Sequence, residues 1–512
     1  AGMLLNTARG GAMLVLGLVA ARRLHALLLA RVLRAPMAWF DVTPAGRVLN
    51  RFSKETYVLD EKLPRTCNSY IATYLKVVST IAVIAFVTPW FLLALVPVLA
   101  LYVHSQRFYI RTSRELKRLD SISRSPIYAH FGETVDGFVT IRAYDACRRF
   151  RRANFFLLDQ NQRAYLLTFA TNCWLALRLE FAGTCIVTGA AALAVAQHGP
   201  DMPESFPGLA GLSIAFALSV TQSLNWTVRM ASELETNAVS VERVLQYAEV
   251  EQEAPAVIKA RRPPPSWPSR GAITVVDVWM RYRPELPHVL RGLDFTIHSG
   301  EKIGVVGRTG AGKSSLLYVL TRCVEVDRGA VLVDGVNVGE IGLDDLRGRV
   351  AVIPQDPVLF SGTVRDNLDP FDRHSDAEVW AALQRAHLAS AVAALDAPVA
   401  EGGGNWSVGQ RQLLCIARAL LRNSQIILMD EATAAVDIRT DAMIQQTVRE
   451  EFGGRTVITI AHRLHTVMDS TRVMVMDAGR VAELDTPQAL ARQPGSLFYR
   501  LVNQWRKEED VE

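Results

Sequence analysis

Gly307-Arg-Thr-Gly-Ala-Gly-Lys-Ser314 has the G-x-x-x-x-G-K-[ST] spacing that wraps a backbone around phosphate oxygens. Its glycines let the chain turn tightly, so that successive N–H groups converge on an anion. Lys313 supplies a point charge for the phosphates, and Ser314 a hydroxyl suited to Mg²⁺. A second constellation is the apolar run Ile426–Met429 ending in Asp430 and Glu431. A parallel strand delivers its last residues to the ligand edge of its sheet. Asp430 there suits the Mg²⁺ shell, and Glu431 suits orienting or deprotonating an attacking water. A third is Asn405–Leu421, in which Ser407 suits capping the following helix and Gly409 leaves a backbone N–H for a phosphate.

These residues need a scaffold. Lys302–Val306 predicts a buried strand leading into the loop, and Ser315–Leu320 a helix leaving it. Further β-like runs at 273–278, 330–333, 350–353, 426–429, 456–459 and 472–476 alternate with helical ones, which predicts an α/β domain with a largely parallel sheet. At 512 residues the chain is too long for one ordinary domain. Its net charge of +5 is too small to argue for nucleic acid. The six cysteines are scattered and show neither metal-ligand spacing nor a disulfide framework.

The first half is of a different kind. Half of all residues are hydrophobic and mean hydropathy is +0.14. Apolar runs at about 3–33, 71–87, 90–103, 166–196 and 209–228 approach the ~20 residues that cross a bilayer. The stretch 106–163 is rich in arginine, whereas the loop 197–208 has no Lys or Arg. By the positive-inside rule the first faces the cytosol. The polar flanks 49–65 and 111–120 still read as helix, so the spanning helices are expected to continue into the cytosol. Proline-rich residues 249–270 read as an extended linker. The resulting division is a membrane domain over 1–248, the linker, a nucleotide-binding domain over 271–506 and a charged tail over 507–512. The opening inside an apolar region, without a methionine, suggests one part of a longer polypeptide.

Taken together, 307–317, 353–362, 367–370, 405–421 and 430–437 resemble an ATP-binding cassette, and more closely the second cassette of a subfamily C exporter of the multidrug-resistance-associated type. Residues 46–54 and 224–230 resemble the same subfamily in the membrane half. The resemblance implies a helical polytopic membrane domain followed by an α/β phosphate-loop NTPase domain. ATP and Mg²⁺ are the implied cofactors. Gly307, Arg308, Thr309, Gly310, Ala311, Gly312, Lys313, Ser314 and Ser315 would cradle the phosphates, with Tyr282 stacking on adenine. Asp430, Ser314 and Gln355 would serve the metal. Glu431, His462 and Gln355 would be catalytic, His462 through the γ-phosphate, and Asp437 would link the two nucleotide sites. Ser407, Gly409 and Gln410 would close on ATP held by a partner cassette, expected in an N-terminal half that carries the first membrane and nucleotide-binding domains. About five spanning helices are then expected here, the first of six lying before Ala1. Turns near 40–46 and 130–137 resemble coupling regions.

For the membrane half the resemblance implies a lipid bilayer, at the plasma or vacuolar membrane, and ATP-driven export of amphipathic organic anions or conjugates through Asn225, Trp226 and Arg229. Cys173 stands where relatives that take glutathione conjugates have a second arginine, which disfavours polyanions. The competing readings are a subfamily C channel or channel-regulatory subunit and, if the spans were absent, a soluble ABC ATPase.

Overall fold

The computed structural model describes the backbone of residues 2–87, 90–196, 206–431, 438–461 and 464–509. The chain divides into two units, 1–33 with 44–250, and 34–43 with 251–512.

The first unit is made of long helices, including Gly2–Leu33, Phe91–Asp136, Cys147–Ala196 and Phe206–Ala248. A further helical run from Ala45 to Val87 passes through two π-turns, Arg51–Glu55 and Val58–Lys62. Among the described residues four helices are long and apolar enough to cross a membrane: Asn6–Leu33, Ala45–Val87, Cys147–Ala196 and Pro207–Ala248. The fifth expected span, 90–103, falls at the start of Phe91–Asp136, where the side chains of 91–95 lie outside the described set. Large apolar side chains such as Leu14, Phe86, Phe169 and Leu177 face outward, the pattern of a helix solvated by lipid tails. Inward, Val77, Ile84, Tyr109, Leu175, Leu179, Leu224 and Val228 form the unit's core. The turn expected at 130–137 is helical as far as Asp136. The break comes at Gly137, followed by a short helix Phe138–Ala143.

In the second unit a six-stranded sheet has the spatial order 480–485, 472–477, 302–306, 456–460, 426–430, 350–353. All neighbours are parallel except the antiparallel edge strand 480–485. Alternate residues feed two cores. Ile426 and Leu428 join one side with helix Lys313–Leu320, and Ile427 and Met429 join the other with helix Val408–Arg422. Each fully buried Leu or Ile adds about 1.5–3 kcal/mol of transfer free energy.

The strands at 273–280 and 328–333 depart from expectation. With 290–297 and 336–337 they make a separate antiparallel sheet, in the order 290–297, 273–280, 328–333, 336–337. Its inner face shares the first core, so these strands show the same apolar residues that a parallel strand would.

The proline-rich segment is extended but strapped to the cassette. Trp267 is buried and its Nε1 donates to the Val333 carbonyl at 2.9 Å. Arg347 grips the Glu253 carboxylate at 2.7 and 2.8 Å. Residues 34–43, inside the expected membrane domain, group with the cassette unit, and the Glu253 N–H donates to the Arg34 carbonyl at 2.9 Å. Residues 37–42 form a short helix there, followed by Pro44.

Candidate functional site

Strand Lys302–Val306 lies between two parallel neighbours, with four of its five residues buried. The chain leaves it through Gly307, whose φ is +153°. A Cβ at this position would meet the Met476 carbonyl oxygen at 2.3 Å. Only glycine therefore lets the loop depart beside strand 472–477. Arg308, Thr309 and Gly310 form the exposed crest, Ala311 turns inward, and helix Lys313–Leu320 starts after Gly312. The Lys313 ammonium is buried inside the loop and donates to the carbonyls of Gly307 at 2.8 Å and Arg308 at 3.2 Å. Burial lowers its pKa, while Glu431 and Asp430 oppose that shift. A cation held inside a ring of loop backbone at a helix start is the electrostatics that polyphosphate requires. Ser314 is half-buried on the first helical turn. Ser315 is buried and shares a 2.7 Å hydrogen bond with the Tyr282 hydroxyl. Tyr282 is half-buried edge-on to Tyr318, and burial raises its pKa.

Strand 426–430 brings the acids to the same edge. Its register sets Asp430 opposite Ile460 and Met429 opposite Ile353. Glu431 follows with φ +44°, and its N–H donates to the Ile460 carbonyl at 3.1 Å. A left-handed glutamate costs about 1–2 kcal/mol, and such strain gathers at functional sites. Gln355, two residues past its own strand, donates from Nε2 to Glu431 Oε2 at 3.0 Å. Lys313, Asp430, Glu431 and Gln355 therefore share one sheet edge. Among the described residues there is no group of three or more His, Cys, Asp or Glu fit to hold a metal by itself. Mg²⁺ takes one or two carboxylates or hydroxyls and completes its shell with phosphate oxygens and water. Ser314, Asp430 and Gln355 carry oxygen atoms of the kind such an ion takes. His462 and Asp437 lie outside the described residues.

Ser407 and Gln410 make a capping box. Ser407 Oγ accepts from the Gln410 N–H at 3.2 Å, and Gln410 Oε1 accepts from the Ser407 N–H at 3.0 Å. The helix they start, Val408–Arg422, buries Leu413, Leu414, Ile416, Ala417 and Leu420. Gly409 is buried in its first turn, while Ser407 is exposed. Among the described residues the hydrogen bonds of Ser407 and Gln410 stay within this turn, and none joins them to the phosphate loop.

In the membrane unit Asn225, Trp226 and Arg229 line one cavity of about 410 Å³, together with Thr73 and Lys76 from helix Leu63–Val87. Neither Thr73 nor Lys76 figures in the sequence reading. The available signal was a single lysine within an apolar span. Cys173 is exposed and does not line this cavity.

Fold and site define a phosphate-loop ATPase cassette that binds ATP, attached to a helical integral membrane domain. The family described as ABC transporter transmembrane region matches residues 1–216, and the family ABC transporter matches residues 290–434. Metal resistance protein YCF1 of Saccharomyces cerevisiae is 48% identical over 487 residues, 94% of this chain and 32% of its own length. ATP-binding cassette sub-family C member 2 of Homo sapiens is 50% identical over 93% of this chain and 31% of its own length. ABC transporter C family member 8 of Dictyostelium discoideum is 47% identical over 95% and 31%. The chain belongs to the ABC transporters, in subfamily C. It spans about a third of the length of the relatives it matches.

Proposed function

We propose that this chain is the ATP-driven half of an exporter of amphipathic organic anions. The observation that carries the reading is the joint placement of Lys313, Asp430 and the Gln355–Glu431 pair at one sheet edge, in a chain whose other unit is built of long apolar helices. Lys313 and the loop N–H groups bind the β- and γ-phosphates. Ser314, Asp430 and Gln355 hold Mg²⁺, which neutralises phosphate charge when bound. Tyr282 flanks the base. Glu431, oriented by Gln355, accepts a proton from the attacking water, and His462 completes the γ-phosphate contacts. Ser407, Gly409 and Gln410 form a helix start, with Ser407 exposed, that suits ATP on a second cassette, so two cassettes close around nucleotide. The partner cassette and membrane domain are proposed to lie N-terminal in the same polypeptide, at the plasma or vacuolar membrane with the cassettes cytosolic. Asn225, Trp226 and Arg229 offer an amide, an apolar plane and a cation to the substrate.

The test is ATP-dependent uptake of a fluorescent organic anion into inside-out vesicles that carry the full-length protein, beside current recordings in planar bilayers. Uptake that falls in Trp226→Ala and Arg229→Ala supports the reading. ATP-gated current without uptake would replace it with a channel.

A further inference from the structure

The cavity in the membrane unit carries more charge than the trio Asn225, Trp226 and Arg229 accounts for. From residue 66 to residue 90 the sequence contains one charged side chain, Lys76. From 206 to 228 it contains none, and Arg229 is the first. Two helices that are otherwise free of charge over these lengths thus turn their lone cations onto the same cavity of about 410 Å³. A cation in hydrocarbon is costly and persists where it faces a wet or ligand-filled space. Lys76 stands eleven residues before the helix end at Val87, about 17 Å of helical rise. That is farther than a lysine side chain reaches, so it does not escape to that interface. Among the described residues neither Lys76 nor Arg229 makes an ion pair, whereas Arg243 and Arg51, in the same unit, both pair with the buried Glu55. The remaining lining is neutral: the Thr73 and Ser223 hydroxyls, the Gln222 and Asn225 amides and the half-exposed Trp226 ring.

We propose that Lys76 and Arg229 form a two-cation site that selects dianionic amphipathic conjugates, with Lys76 the residue that sets the preference for two charges over one. The ligand lays an apolar ring system on Trp226 and directs one anionic group to each cation. The proposal rests on the organic-anion reading of this cavity. It reverses the expectation drawn from Cys173, because the cation absent at that position is supplied from another helix.

The experiment uses phosphatidylcholine proteoliposomes containing the full-length protein and two probes on the same aryl body, an aryl monosulfate and an aryl disulfate. Lys76→Gln and Lys76→Met should each raise KM for the disulfate about tenfold, equivalent to about 1.4 kcal/mol. The monosulfate should change by less than about threefold, since Arg229 still serves it. Lys76→Arg should keep the wild-type ratio of the two probes. Trp226→Ala should weaken both probes alike. If both neutral variants leave the disulfate-to-monosulfate ratio at its wild-type value while Trp226→Ala weakens both, the two-cation site is wrong and the organic-anion cavity stands. If Trp226→Ala leaves both probes at wild-type KM, the cavity reading fails and the proposal falls with it.

Discussion

Replacing Gly307 by alanine probes the phosphate loop more sharply than replacing its crest glycine. A Cβ at 307 would lie 2.3 Å from the Met476 carbonyl oxygen, where real contacts do not fall below 3.0 Å. The obstacle is backbone, so strand 302–306 and strand 472–477 must part, and Val306 pairs with Val475 in that ladder. One or two ladder bonds at about 0.5–1.5 kcal/mol each are then weakened. Holding alanine at φ +153° adds about 1–3 kcal/mol. The sum is about 3 kcal/mol, which shifts the loop to a relaxed form and lowers apparent nucleotide affinity by about a hundredfold. Gly310 is the control. Its φ is +81°, but a Cβ there meets nothing within 4 Å, so Gly310→Ala costs only the left-handed backbone, about 1–2 kcal/mol, or roughly tenfold. Titrating a fluorescent ATP analogue into each purified variant separates the two. Equal affinities for Gly307→Ala and Gly310→Ala would refute the steric argument.

Glu431→Gln should keep nucleotide binding, because the new amide oxygen still accepts from Gln355 Nε2. Steady-state hydrolysis should fall about 10²–10⁴-fold with the loss of the proton acceptor, and wild-type turnover would contradict the assignment. Nucleotide affinity should decline with rising pH from below the ordinary lysine range, because burial lowers the Lys313 pKa and deprotonation removes its charge from the phosphates. A binding profile flat beyond pH 10.5 would oppose this. Trp267→Phe should cost about 1 kcal/mol by removing the indole donor to the Val333 carbonyl, read as a lower melting temperature with unchanged nucleotide affinity. This chain expressed alone should hydrolyse ATP slowly unless two copies pair, and fast turnover by a monomer in sedimentation would overturn the shared-site arrangement.

What could be read from the sequence was whatever sits in one short window. The phosphate loop is eight consecutive residues between an apolar strand and a helix, so its chemistry, its flanking elements and its family resemblance are all local. The apolar spans are local as well, because a bilayer asks only for length and hydrophobicity. Strand 290–297 was hidden because a register shift between Val278 and Trp279, opposite Gly292, puts Leu290 and Leu293 three apart, which breaks the period of two. Strand 480–485 was hidden because an edge strand buries little. The division into two sheets was not in the sequence either: the inner faces of both fill one core, so apolar patterning cannot say which strand pairs with which. Long-range pairing decided the remainder. Gln355 and Glu431 are 76 residues apart and meet because strands 350–353 and 426–430 are parallel neighbours. Lys76 and Arg229 line one cavity because two helices distant in sequence pack side by side. A single lysine in an apolar run says only that something must compensate its charge, and only tertiary packing could say that a second cation lines the same cavity.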